Sequence, residues 1–260
     1  MRWLDRLSGV RDVPSDPMVE ALALAKAGDY AAALAIWEPL ARSGVARAQN
    51  NIGACFAEGL GVPRESDIAV KWLTLAAEAG DPVGQRNLAA ACFNGMGVPN
   101  DFYRAAALYR SAAEQGDGPA QDMLSWMLLE GEVMSPDPVE ARRWALAAAA
   151  SGIAAAMTRL GMLYHNAVGV DRDPGEAARW WRRGAEGGDA DGQAMLGAAY
   201  YLGNGAPLDR IEALAWLLRA AAGHSALATP FLPPARSALS PDEIVEAERR
   251  AAIALSAGRP

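Results

Sequence analysis

His165, His224, Cys55 and Cys92 are the chain's only imidazole and thiol side chains. Together they have the donor types of one zinc site. Such sites draw ligands from short spacings, typically two to four residues between paired cysteines, and no two of these four lie close in sequence. His165 has no nucleophile or acid at a spacing that would make it a general base, so it reads as a surface or groove histidine. The glycine pairs Gly59 and Gly61, Gly95 and Gly97, and Gly203 and Gly205 are of the type that cradles phosphate. A phosphate loop follows a strand and opens a helix. These pairs follow helical stretches and no strand is predicted, so they read as turns. No catalytic, cofactor or metal site is expected, and the chain is read as a non-enzyme.

The elements that carry these residues follow from composition. Of 260 residues, 58 are alanine and 52% are hydrophobic. Alanine is the best helix former and its small side chain lets helices pack closely, so the expected class is all-α. Lys and Arg total 24 against 31 acidic residues, a net charge of −7. That balance lacks the basic field needed for non-specific binding to nucleic acid or to an anionic membrane. No apolar run reaches the roughly 18 residues of a membrane span, so no membrane insertion is expected. The start, MRWLDRLSGVRDVPSD, is interrupted by charges and lacks the apolar core of a secretory signal. A soluble, cytoplasmic protein is the expectation.

The chain repeats itself at a shift of 36 residues. Ile52, Leu88, Leu124, Leu160 and Leu196 form one column, and Ala69, Ala105, Ala141, Ala177 and Ala213 another. Trp72, Trp144, Trp180 and Trp216 share a third with Leu108, and Trp37 stands one residue out of phase. Each unit reads as two helices. In the second unit the first helix runs from about Ala48 to Glu58, with Ala48, Ile52 and Phe56 on one stripe. The glycine loop breaks it, and the second helix runs from about Ser66 to Ala79. Gly53, Gly161 and Gly197 sit inside first helices, where glycine costs about 1 kcal/mol against alanine; close approach of a partner helix is the expected compensation. The Trp column is expected to pack between repeats. Cys55 and Cys92 are 37 apart rather than 36, which turns them about 100° from each other. They read as small apolar packing residues.

A two-helix unit cannot bury both of its faces alone, so the array must stack. The expected fold is a right-handed alpha-alpha superhelix, or solenoid, of about six helix-turn-helix repeats with a C-terminal capping helix. Residues 1–17 are expected to be a flexible segment in which Trp3, Leu4 and Leu7 could dock on the first unit. Residues 18–223 form the array. Residues 224–260 are read as a loop, through Pro230, Pro233 and Pro234, and a capping helix. That helix opens with Ser240-Pro241-Asp242-Glu243, a capping box with proline at the first helical position, and is expected to reach Gly258.

These residues resemble the Sel-one-like repeat (SLR) family, a relative of the tetratricopeptide repeats. Ala156, Leu160, Gly161, Tyr164, Gly169, Val170, Ala177, Trp180, Ala185 and Gly188 follow the family's pattern, and the resemblance runs from about Met18 to Gly223. Departures are Ser125 at the first-helix glycine, Val133 at the second loop glycine and Ala167 at the first loop glycine. The secreted members' paired cysteines are missing. The resemblance implies a bacterial protein-interaction scaffold, in signalling or envelope-related regulation, that holds a protein or peptide in a groove lined by first helices.

Carried over by register, the groove positions are Asn50, Arg86, Asp122 and Thr158 early in the helix. Ala54, Ala90, Trp126, Met162 and Ala198 stand mid-helix, and Ala57, Phe93, Leu129, His165 and Tyr201 near its end. The expected partner-binding residues are Arg86, Phe93, Trp126, Leu129, Met162, His165 and Tyr201. Aromatic residues and Met are enriched where partners bind. Whether this apolar stripe faces the groove or the core is left open by the sequence. A self-assembling structural repeat, and a hydrolase on a helical scaffold, stay open as other readings.

Overall fold

The computed structural model describes residues 16–253 and 255, and every element among them is helical. Trp3, Leu4 and Leu7 lie outside the described residues; the last helix, expected to reach Gly258, instead ends at Ala252, where Ile253 turns to extended backbone. The chain divides into two compact units, Met1–Leu108 and Tyr109–Pro260. The first contains α1 (Pro17–Lys26), α2 (Tyr30–Arg42), α3 (Ala46–Glu58), α4 (Ser66–Glu78) and α5 (Pro82–Asn94). The division falls within α6 (Phe102–Glu114). The second continues with α7 (Gly118–Glu130), α8 (Pro138–Ala150), α9 (Ala154–Asn166), α10 (Pro174–Glu186), α11 (Ala190–Leu202) and α12 (Arg210–Ala222). A 3-10 turn (Ala226–Ala228), α13 (Leu232–Ser237) and α14 (Pro241–Ala252) complete it. Within each unit consecutive helices pair as antiparallel hairpins, and each hairpin packs on the next. The fold is an all-α stack of repeated hairpins.

Local chemistry explains why the chain breaks where it does. Asp81, Asp117 and Asp189 cap first helices by accepting from the backbone N–H of Gly84 (2.7 Å), Ala120 (2.9 Å) and Gly192 (2.8 Å). Each such cap contributes about 1 kcal/mol. The preceding helix end is closed by a glutamine. Gln49, Gln121 and Gln193 donate to the carbonyls of Ala41 (3.0 Å), Ala113 (3.1 Å) and Ala185 (3.2 Å), which the helix leaves without an internal partner. In the five matching repeats that follow the leading hairpin, first helices (α3, α5, α7, α9 and α11) end on a residue in the left-handed region. That residue is glycine in every repeat but one, where Ala167 holds φ at 57°.

The core is centred one residue away from the tryptophan column expected to pack between repeats, in which Trp216 is buried, in one cluster with Trp181. Trp72, Trp144 and Trp180 are half-buried. Trp72 leans on the Trp37–Ile52 cluster and Trp180 on the Leu160–Leu163 cluster, so they do pack between elements, but at the edge. The buried column is Trp37, Leu73, Tyr109, Ala145, Trp181 and Leu217. One residue is a rotation of about 100° on a helix, which separates seam from edge. First-helix glycines make room for this column. A β-carbon on Gly53 would lie 2.8 Å from Leu73 Cδ2, and one on Gly197 2.8 Å from Leu217 Cγ.

The C-terminal region is more helical than its prolines suggest. Pro233 and Pro234 occupy the first turn of α13, where a missing N–H costs nothing. Ser240 and Glu243 form the expected capping box. α14 packs on α12, with Ala247 fully buried. Arg219 of α12 donates to the carbonyls of Arg250 (2.6 Å), Ala251 (3.1 Å) and Ile253 (2.9 Å), satisfying the end of α14. Among the described residues no helix is long and apolar enough to cross a membrane.

Candidate interaction face

First helices of neighbouring repeats are cross-linked by polar side chains 37 residues apart. In the first unit Asn87 Nδ2 donates to Asn50 Oδ1 at 2.8 Å, tying α5 to α3. Arg86 is half-buried beside Asn87. Near the end of α5, half-buried Phe93 meets the edge of Phe102, with ring centroids 5.1 Å apart. At the start of α3, Arg47 Nε donates at 2.8 Å to the buried carboxylate of Asp81.

In the second unit the same relationship is an ion pair. Arg159 of α9 donates through Nε (3.3 Å) and Nη2 (3.2 Å) to Asp122 Oδ1 of α7. Both side chains are about one-fifth exposed, 20% for Arg159 and 18% for Asp122. Partial desolvation strengthens such a pair relative to one in open solvent. Thr158, buried beside it, donates to Asp189 Oδ2 at 2.6 Å. The bridge shows that the Asp122 and Arg159 positions share the surface where two first helices adjoin. One turn further along, at i+4 and i+3, stand Trp126 and Met162, both half-buried. Met123 and Met195 share the register of Arg159 and are also half-buried. These two were not among the positions read from the sequence, although the column Asn51, Asn87, Met123, Arg159, Met195 is visible there at the same shift.

The end-of-helix series has a different setting. Leu129 packs on the cluster around Ala145, Leu160 and Leu163. The His165 ring stands 5.3 Å from that of Trp181, with Nδ1 buried and unbonded. Tyr201 packs on the two C-terminal clusters and approaches the edge of Phe231, centroids 6.4 Å apart. Met162 also rests on a core cluster. Leu129, His165 and Tyr201 therefore spend their apolar surface largely on the seams of their own repeats. Of the residues read as a groove, the structure brings Asp122, Trp126 and Met162 onto one first-helix face with Met123 and Arg159. Phe93 and Arg86 belong to the other unit.

The remaining reactive groups are structural in their surroundings. Cys55 and Cys92 are buried free thiols, and burial pushes both pKa values up, away from the reactive thiolate. Glu140 Oε1 accepts from Arg110 Nη1 (2.6 Å) and Trp144 Nε1 (3.1 Å). The Arg110 hydrogen bond is the main cause holding its carboxyl below the usual range, with Trp144 and Arg143 assisting against the opposing effect of burial. Among the described residues no three metal-ligating side chains come together.

The Sel1 repeat profile matches the chain five times, over residues 46–81, 82–117, 118–153, 154–189 and 190–225. The crystal structure of a Sel1 repeat protein from Oxalobacter formigenes is similar along most of the chain. It is 28% identical, covers 95% of this chain and 100% of its own, and has a TM-score of 0.80. An immunity protein from Pseudomonas aeruginosa has the same fold at 18% identity and a TM-score of 0.51, covering 81% of this chain and 82% of its own. No curated protein matches.

Proposed function

The chain belongs to the Sel1 repeat family, whose repeats typically mediate protein–protein interaction, and on that premise we propose that it binds a protein or peptide segment on the first-helix face of the Tyr109–Pro260 unit, as a scaffold with no catalytic step of its own. The observation that carries this reading is the Asp122–Arg159 bridge. It fixes α7 beside α9 while Trp126, Met123 and Met162 stay partly exposed on the same face. Tryptophan is a frequent anchor of interfaces, and methionine adapts its shape to a partner. The ion pair supplies a polar neighbour that orients the occupant. A cytoplasmic setting in a bacterial signalling or envelope-related complex, as the family resemblance implies, is part of the same proposal.

Capture from a lysate of the source organism tests it, with wild type compared against the double variant Trp126→Ala/Met123→Ala. The expected result is a protein retained by wild type and lost from the variant, with circular dichroism and melting little changed. Equal capture by both, with both folded, would refute this face as the site.

A further inference from the structure

We infer that the second-helix face of α8 and α10 is a separate docking surface for an acidic, carboxylate-bearing peptide segment. Five arginines among the described residues lie over aromatic rings, and all five fall between Arg142 and Arg219. Such pairs occur about once per 70–80 residues in proteins generally, so this unit is enriched. Arg183 lies 4.4 Å above the half-buried Trp180 ring. Arg182 lies 5.6 Å from the Tyr200 ring and donates to the Tyr200 hydroxyl. Arg142 does the same with Tyr164, at 5.5 Å from the ring and 2.9 Å from the hydroxyl.

Among the described residues none of Arg142, Arg182 and Arg183 has a carboxylate partner, although the chain carries 31 acidic residues. Neighbouring Arg143 and Arg179 are paired, with Glu140 and Glu176. Arg179, Arg182 and Arg183 stand at i, i+3 and i+4 on α10, so they share one face, and all three are exposed. A guanidinium laid on an aromatic ring has already lost much of its rotamer freedom. Arg142 is half-buried, with its Nε enclosed, whereas the exposed Arg182 and Arg183 keep N–H groups open to solvent that suit a carboxylate. The local excess is modest, five arginines against three glutamates on α8 and α10, within a chain of net charge −7. That suits a short acidic peptide and opposes a polyphosphate backbone, which needs a broad basic field. The surface shares no residue with the first-helix face, so either assignment can fail alone.

Fluorescence anisotropy of a labelled oligoglutamate peptide with the full chain is the test. Wild type is expected to bind at low salt and release the peptide as salt rises. Arg182→Gln/Arg183→Gln is expected to weaken binding about tenfold or more, and Trp126→Ala/Met123→Ala to leave it unchanged. Because Arg182 also supports Tyr200, Arg183→Gln alone is measured alongside, and Arg183→Lys, which keeps the charge but not the fork, should fall between it and wild type. No binding by wild type at low salt, equal binding by a folded Arg183→Gln, or tighter binding of an oligouridylate than of the peptide overturns the assignment.

Discussion

Gly161 of α9 and Trp181 of α10 occupy one space: a β-carbon on Gly161 would lie 2.3 Å from Trp181 Cδ1. The indole is 2% exposed, so no open side exists toward which it could yield. Gly161→Ser should therefore cost about 1–3 kcal/mol by overpacking, and Trp181→Ala about 3–5 kcal/mol by leaving a cavity. One repeat earlier the same two register positions hold Ser125 and Ala145, both fully buried. Gly161→Ser/Trp181→Ala copies that solution and should cost less than the two single changes together. Urea denaturation of the four proteins measures this coupling, and simple additivity would disprove the volume trade.

Ala167 takes the left-handed helix-ending position that glycine holds in the other repeats, with φ of 57°. A side chain there costs about 1–2 kcal/mol, partly offset by glycine's greater freedom in the unfolded chain. Ala167→Gly should stabilise the protein by about 0.5–1 kcal/mol. Differential scanning calorimetry reads the change, and a lower melting temperature for the variant would contradict the account.

Glu140 joins α6 to α8 through Arg110. Its carboxyl is held below the usual value of 4.5, so the unfolded chain takes up that proton first as pH falls. The stabilisation is present above about pH 4.5 and is lost toward the lower folded value. Glu140→Gln should cost about 1 kcal/mol at neutral pH, and the gap between variant and wild type should narrow below pH 4.5. Paired melting curves across the acid range decide the point, with a constant gap as the contrary result.

The repeat phase was legible because each unit faces the same geometric demands: a small residue where helices touch, a left-handed residue at the loop, a cap at each helix start. The buried column was harder to read because volume is exchanged between facing positions. Trp181 stands opposite Gly161, whereas Ala145 shares the register of Ser125, so the deep column mixes large and small residues, while the neighbouring column repeats tryptophan at four of five places although Trp72, Trp144 and Trp180 are only half-buried. The cross-links were hidden for a different reason. Asn50–Asn87 and Asp122–Arg159 are spaced 37 residues apart, one more than the repeat, because each side chain reaches to the adjacent register of its neighbour. Met123 and Met195 belong to that adjacent register and were passed over with it. The three C-terminal prolines suggested a loop, but two of them fit the opening turn of a helix, a context that composition alone does not reveal.

Hydrogen–deuterium exchange of the full chain, with and without the protein that wild type captures, tests the central claim most directly. The account predicts slowed exchange in α7 and α9, around Asp122, Trp126, Arg159 and Met162, with the far side of α8 little affected. Protection confined to other helices, with α7 and α9 unchanged, would contradict it.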